Sequence, residues 1–161
     1  MFPFKIMYYL LDGYNIITIS KKMDIDSERD KLVTFVRNSR RLFKHTVIIF
    51  FDGSSPFTSN ISSSKNCKVV FTWEKSADDA IIDFIINHKN PKEIIVVTND
   101  RELQNKSKAN GCRIETNEQF YFRITSPPKK IKPKGHSDKK IPSDAQKITE
   151  ELARLWLKKT K

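Results

Sequence analysis

The sequence predicts an α/β fold with a mainly parallel sheet of about five strands and helices on both faces. Three observations predict it. Short runs that are apolar throughout recur along the chain, as strands buried on both faces require. Segments with apolar residues at helical spacing separate most of these runs. Three runs end in an acidic residue, Asp12, Asp52 and Asp100, and parallel sheets bind ligands at that carboxyl edge.

Residues 6–11 form the first strand, ended by Asp12-Gly13. From about residue 27 to 44, Leu32, Val33, Phe35, Val36, Leu42 and Phe43 recur at helical spacing. Arg37, Arg40, Arg41 and Lys44 fill the other positions, which makes this a surface helix with a basic side. Residues 46–51 are the second strand, ended by Asp52-Gly53. The Ser-, Asn- and Thr-rich stretch 54–66 reads as a loop beside Asp52, and residues 68–72 as the third strand. Ser76 is placed to cap a helix opening Ala77-Asp78-Asp79, with acids where the helix dipole favours them. Pro91 follows that helix, and residues 93–98 form a fourth strand ended by Asn99-Asp100. A last helix before Gly111 leads to a short fifth strand, 112–115.

The chain of 161 residues has room for one domain and an appendage. We divide it into a domain at 1–126, a Lys/Pro-rich linker at 127–142 and an amphipathic helix at 143–161 carrying Ile148, Leu152, Leu155 and Trp156. The net charge of +11 favours a polyanionic partner, and +7 of it falls in residues 127–161. Cys67 and Cys112 have no zinc spacing and read as buried thiols of a reducing compartment. Neither a signal-peptide pattern nor a membrane-length apolar run is present, so a cytoplasmic protein with no membrane partner is expected.

A carboxylate at the end of a buried strand is costly unless it is solvated, hydrogen-bonded or metal-bound. Several in one small domain suggest a shared site, and convergent carboxylates suit Mg²⁺-dependent cleavage of phosphodiesters. Asp78 shares a helical face with Ile82 and Ile85 and points inward, Asp83 faces outward, and Asp79 fits either side. Asn15 lies near enough to Asp12 to orient a carboxylate or bind a phosphate, as Thr98 and Asn99 do beside Asp100. Taken singly, Asp12 or Asp52 is a turn residue, Asp78 and Asp79 are dipole partners and Asp100 is a cap. The joint pattern favours the site, with Asp52 its weakest member. For RNA, the candidate contacts are Arg37, Arg40, Arg41 and Lys44, and Lys129, Lys130, Lys132 and Lys134 of the linker. Phe71 and Trp73 stand near a strand end where they can stack on an unpaired base, whereas Trp156 reads as a packing anchor.

The runs Asp12-Gly13-Tyr14-Asn15, Phe51-Asp52-Gly53, Ala77-Asp78-Asp79 with Ile81, and Val97-Thr98-Asn99-Asp100 together resemble the NYN-domain ribonucleases, and among them the YacP-like group. The resemblance spans roughly residues 6–125, with Gly111 and the segment 117–124 in corresponding places. It implies a PIN-like (NYN) three-layer fold, Mg²⁺ or Mn²⁺, cleavage of single-stranded RNA, and association with the ribosome and translated mRNA. It also implies Asp12, Asp78 and Asp100 as metal ligands and catalytic residues and Asn15 as the accompanying amide; on our own reading of the residues, Asp79 and Asp52 are auxiliary ligands. Two positions depart from the family pattern: Asp79 stands where a Glu is usual, and Asn99 where a Ser is usual. A noncatalytic RNA- or ribosome-binding adaptor on the same fold is the alternative. A haloacid-dehalogenase phosphatase wants a second Asp where Tyr14 stands, and no Gly-rich loop of a Walker nucleotide hydrolase is present.

Overall fold

The computed structural model describes residues 5–17, 24–53 and 64–127. The expected contacts at Lys129, Lys130, Lys132 and Lys134 and the helix within 143–161 lie outside them, as do most of the linker and the loop after Asp52.

Five strands form one all-parallel sheet in the order β3-β2-β1-β4-β5. They are β1 (Tyr8–Asp12), β2 (Thr46–Asp52), β3 (Cys67–Thr72), β4 (Ile94–Val97) and β5 (Arg113–Glu115). Within the strands, alternate residues feed two cores, as the two-residue repeat of a strand demands. Tyr9, Leu11, Ile49, Phe51 and Val97 face one side, covered by α1 (Gly13–Ile16), α2 (Ile25–Asn38) and α5 (Asn117–Thr125). Leu10, Ile48, Phe50 and Val96 face the other, covered by α3 (Ala77–Asn87) and α4 (Arg101–Ala109). The result is the expected three-layer α/β architecture.

Every described helix after α1 starts where its sequence supplies a cap. Ser76 accepts the Asp79 N–H at 3.1 Å to open α3, and Asp100 accepts those of Glu102 and Leu103 at 2.8 and 3.1 Å to open α4. Thr116 and Gln119 form a reciprocal capping box for α5. Gly111, at φ +91°, supplies the left-handed turn that ends α4.

Two expectations about the second helix need correction. It begins at Ile25, capped by Asp24, and ends at Asn38 rather than near residue 44. The apolar spacing runs on because Leu42 is fully buried, but by a turn in which its N–H bonds Ser39 O at 3.2 Å and its carbonyl accepts the His45 N–H at 2.9 Å. Phe43 is left 72% exposed. Arg40, Arg41 and Lys44 therefore belong to a turn and not to a basic helix face.

Candidate active site at the carboxyl edge of the sheet

Consecutive strands run outward from β1 through β2 to β3, and the chain then returns to place β4 on the other side of β1. The order reverses between β1 and β4, where a crevice opens beyond the strand ends. Asp12 ends β1 and Asp100 follows β4, so the two stand on either side of that crevice. Asp52 ends the neighbouring β2. Its carboxylate accepts the Ala77 N–H at 2.6 Å, which ties the start of α3, and so Asp78, to the same edge.

The four acids differ in what the fold asks of them. Asp100 spends one oxygen on capping α4, and Asp52 spends one on Ala77. Asp12 is the N-cap residue of α1 by position but makes no side-chain cap bond. Its carboxyl, 6% exposed, instead receives the Thr98 hydroxyl at 3.2 Å, while that hydroxyl oxygen accepts the Asp100 N–H at 3.1 Å. Burial, followed by the charge of Asp78, pushes Asp12 up to about 6; Thr98 opposes the rise, and Asp52 and Asp100 add to it. Asp78, half-buried, is also raised, first by burial and then by Asp100, Asp52 and Asp79, against a downward pull from Lys106. Asp79 is exposed, and Asp83 faces outward in an ion pair with Lys75.

Asn15 joins the edge as a tie. Its side-chain carbonyl accepts the Asn99 N–H at 2.8 Å and the Asn117 amide at 3.0 Å, and its backbone carbonyl accepts the same amide at 2.9 Å. Asn99 in turn receives the Asn117 N–H at 2.9 Å and donates to Glu118 at 3.0 Å. Nothing in the sequence pattern near Asn15 points to Asn117, which is 102 residues away. The segment 117–124 is placed by the resemblance, which does not signal this contact.

A second unanticipated group lies behind β1 and β2. The Arg29 guanidinium donates to the Tyr14 hydroxyl and lies 5.4 Å from the Tyr14 ring centre, 5.8 Å from that of Phe51 and 5.4 Å from that of Phe71. Gly13 sits against this stack so closely that a Cβ there would meet Phe51 at 2.3 Å. That contact explains the glycine after Asp12 better than turn geometry does.

The basic residues expected on one RNA-binding side are not brought to the acids. Arg37 turns inward towards Cys67, and its Nε and Nη2 are buried without a hydrogen-bond partner among the described residues. Arg40, Arg41 and Lys44 precede β2, at the amino edge, a seven-residue strand or about 20 Å from Asp52. Among the described residues, Lys106, paired with Glu102, stands beside Asp78 and Asp79, and Lys75, paired with Asp83, stands beside Asp79.

Oxygen donors of this kind suit a hard divalent cation, and the mutual repulsion recorded at Asp12 and Asp78 is what such an ion offsets. Among the described residues, no three acidic, Cys or His side chains are drawn closely enough together to hold an ion as they stand. Cys67 and Cys112 are free and buried. Among the described residues, no helix is long and apolar enough to cross a membrane.

An all-parallel sheet with acids at its switch point agrees with the α/β domain of PIN-like type that the sequence predicts. The model of the YacP-like NYN domain matches residues 9–161, and the chain belongs to that family. The match runs through the Lys-rich stretch and the final segment, beyond the motifs that carried the resemblance. Two crystal structures of Rae1 (YacP) from Bacillus subtilis share the fold. One, of a mutant, is 21% identical with a TM-score of 0.61, covering 96% of this chain and 92% of that one. The other is 20% identical with a TM-score of 0.60, covering 95% and 88%. No curated protein matches the chain. Membership brings a nuclease-like, RNA-directed role, in a family whose nucleases are generally dependent on divalent metal.

Proposed function

We propose that the chain is a metal-dependent endoribonuclease of the cytoplasm that cleaves single-stranded RNA, with mRNA on the ribosome as its setting. The observation that carries this reading is Asp12, a buried carboxyl whose surroundings are Asp78, Asp52 and Asp100. Gathering like charges around a buried position works against folding, and a bound cation makes it favourable. Asp12, Asp78 and Asp100 would hold Mg²⁺ or Mn²⁺, with Asp79 and Asp52 as auxiliary ligands. When bound, such an ion activates water and offsets charge on the phosphate under attack.

The chain's own residues orient the centre and the substrate. Thr98 fixes the Asp12 carboxylate by its hydroxyl, and the same oxygen holds the Asp100 backbone. Asn15, Asn99 and Asn117 lock the first turn of α1 to the loops after β4 and β5. Lys75 and Lys106 would exchange their ion pairs with Asp83 and Glu102 for phosphates beside the acids. Arg40, Lys44 and the linker lysines Lys129, Lys130, Lys132 and Lys134 would hold RNA away from the cut, without reading sequence.

A noncatalytic RNA- or ribosome-binding adaptor is favoured by one observation, the looseness of the acids as potential ligands among the described residues. Cleavage of a 5′-labelled single-stranded RNA with Mg²⁺ or Mn²⁺, beside EDTA and Asp12→Asn, decides between them. Metal-dependent cutting that falls at least about a hundred-fold in the variant is expected. RNA bound by both proteins and cut by neither would establish the adaptor.

A further inference from the structure

Four aromatic rings stand at the carboxyl ends of β1, β2 and β3, and the fold uses three of them. The Phe51 ring centre is 5.1 Å from that of Tyr14 and 5.6 Å from that of Phe71, and Arg29 lies over all three. The fourth, Trp73, is 80% exposed, and no other ring of the described residues packs against it. A single exposed apolar side chain needs no explanation, but an indole held in water at the rim of an acidic centre is a surface offered to something.

The strand register shows what lies around it. Asp52 pairs with Thr72, and the Gly53 N–H bonds Thr72 O at 2.7 Å, so Trp73 and Gly53 are side by side on the next rung. Among the described residues, a Cβ at Gly53 would meet nothing within 4 Å, so none of them covers the rung next to the indole. Asp52 lies one rung back, and Ala77, whose N–H it binds, leads directly to Asp78. Lys75 follows two residues after Trp73, and Lys106 stands near Asp78.

We infer that Trp73 is the platform on which one unpaired base of the RNA stacks, beside the acidic centre. Every base has a flat π face, so stacking tolerates sequence while requiring that the base be free of a partner strand. Trp73 thus selects single-stranded over paired RNA. The base lies on the indole over Gly53, and its flanking phosphates reach towards Lys75, Lys106 and the acids. Phe71, two residues earlier, has no such role, because its ring is taken by Phe51 and Arg29. The inference rests on the reading of this edge as an RNA site.

Trp73→Ala and Trp73→Phe in the full chain test it, with circular dichroism confirming that both fold. In EDTA, so that nothing is cut, a single-stranded RNA of about 12 nucleotides quenches tryptophan emission of the native protein, and this quench is lost in Trp73→Phe. With metal, Trp73→Ala raises KM for single-stranded RNA roughly tenfold and leaves kcat within about threefold, while Trp73→Phe restores KM. An unchanged KM in Trp73→Ala beside normal cutting overturns the stacking role and leaves the nuclease standing. A protein that never cuts yet shows the Trp73-dependent quench keeps the stacking role and removes the nuclease. An equal quench in native protein and Trp73→Phe, or no RNA binding at all, overturns the inference.

Discussion

The two edges of the sheet are built on opposite terms. At the amino edge, Arg37 apart, the charges and donors described find partners. Arg41 donates to the carbonyls of Ser126 and Pro127, at 3.3 and 2.9 Å, where α5 ends and cations are favoured. The Met7 N–H reaches His45 Nδ1 at 3.1 Å, and Lys5 faces Glu93 at 4.0 Å. At the carboxyl edge, Asp12 and Asp78 are raised instead, first by burial and then by the acids around them, with one hydroxyl and a lysine in opposition. Like charges gathered at one edge of the domain mark where binding, rather than folding, has set the residues.

The sharpest break comes where the strained edge is fastened to the core. Gly13→Ala would place a methyl group 2.3 Å from one carbon of the buried Phe51 ring and 2.8 Å from the Phe50 carbonyl. Neither can retreat far, because Phe51 is packed between Tyr14 and Phe71. A loss of about 3 kcal/mol in urea unfolding is expected. A loss under 1 kcal/mol would mean the stack yields and the edge is less rigid than described.

Asp12 tests the strain itself. Its carboxyl titrates at 3.8 in its ordinary state and at about 6 in the fold, so between these values the folded chain holds the proton more tightly. Stability contributed by that proton is fully present below pH 3.8 and lost as pH rises through 6. The loss is at most about 3 kcal/mol. Asp12→Asn keeps an oxygen for Thr98 and carries no charge. Without metal, it is expected to melt above the native protein at pH 7.5 and to converge with it near pH 4. Mg²⁺ or Mn²⁺ should then narrow the gap by stabilising the native chain alone. A native protein that melts above Asp12→Asn without metal would show that the acids are not strained.

How far the sequence speaks for each edge follows from the range of the interactions. Strands buried on both faces announce themselves as apolar runs, and caps such as Ser76 and Asp100 act within four residues. The second helix was read too long because spacing alone cannot tell a helical Leu42 from one buried by a turn. Phe71 and Trp73 are two residues apart, so only the end of β3 at Thr72 and the position of Arg29 separate them. The shared edge of the acids was legible because strand ends in a parallel sheet lie together by topology. Asn117, brought to Asn15 by the same topology, was not, since an asparagine at the start of a helix carries no signal of its partner. Arg37 reads as surface by its neighbours and turns inward because Cys67 lies beneath it.

The smallest effect belongs to the amino edge and decides whether the contrast holds for RNA. Arg41→Ala removes two hydrogen bonds from an exposed guanidinium to the last carbonyls of α5. The cost should be about 1 kcal/mol, a fall of about 3 °C in Tm. Because Arg41 precedes β2 and the acids follow it, about 20 Å away, cleavage of a short RNA should stay within twofold of native. A longer RNA that weakens with this variant, while the short one does not, would show that substrate runs from the strained edge round to the satisfied one. A short RNA whose KM rises would place Arg41 in the site after all, and the two edges would then serve one function.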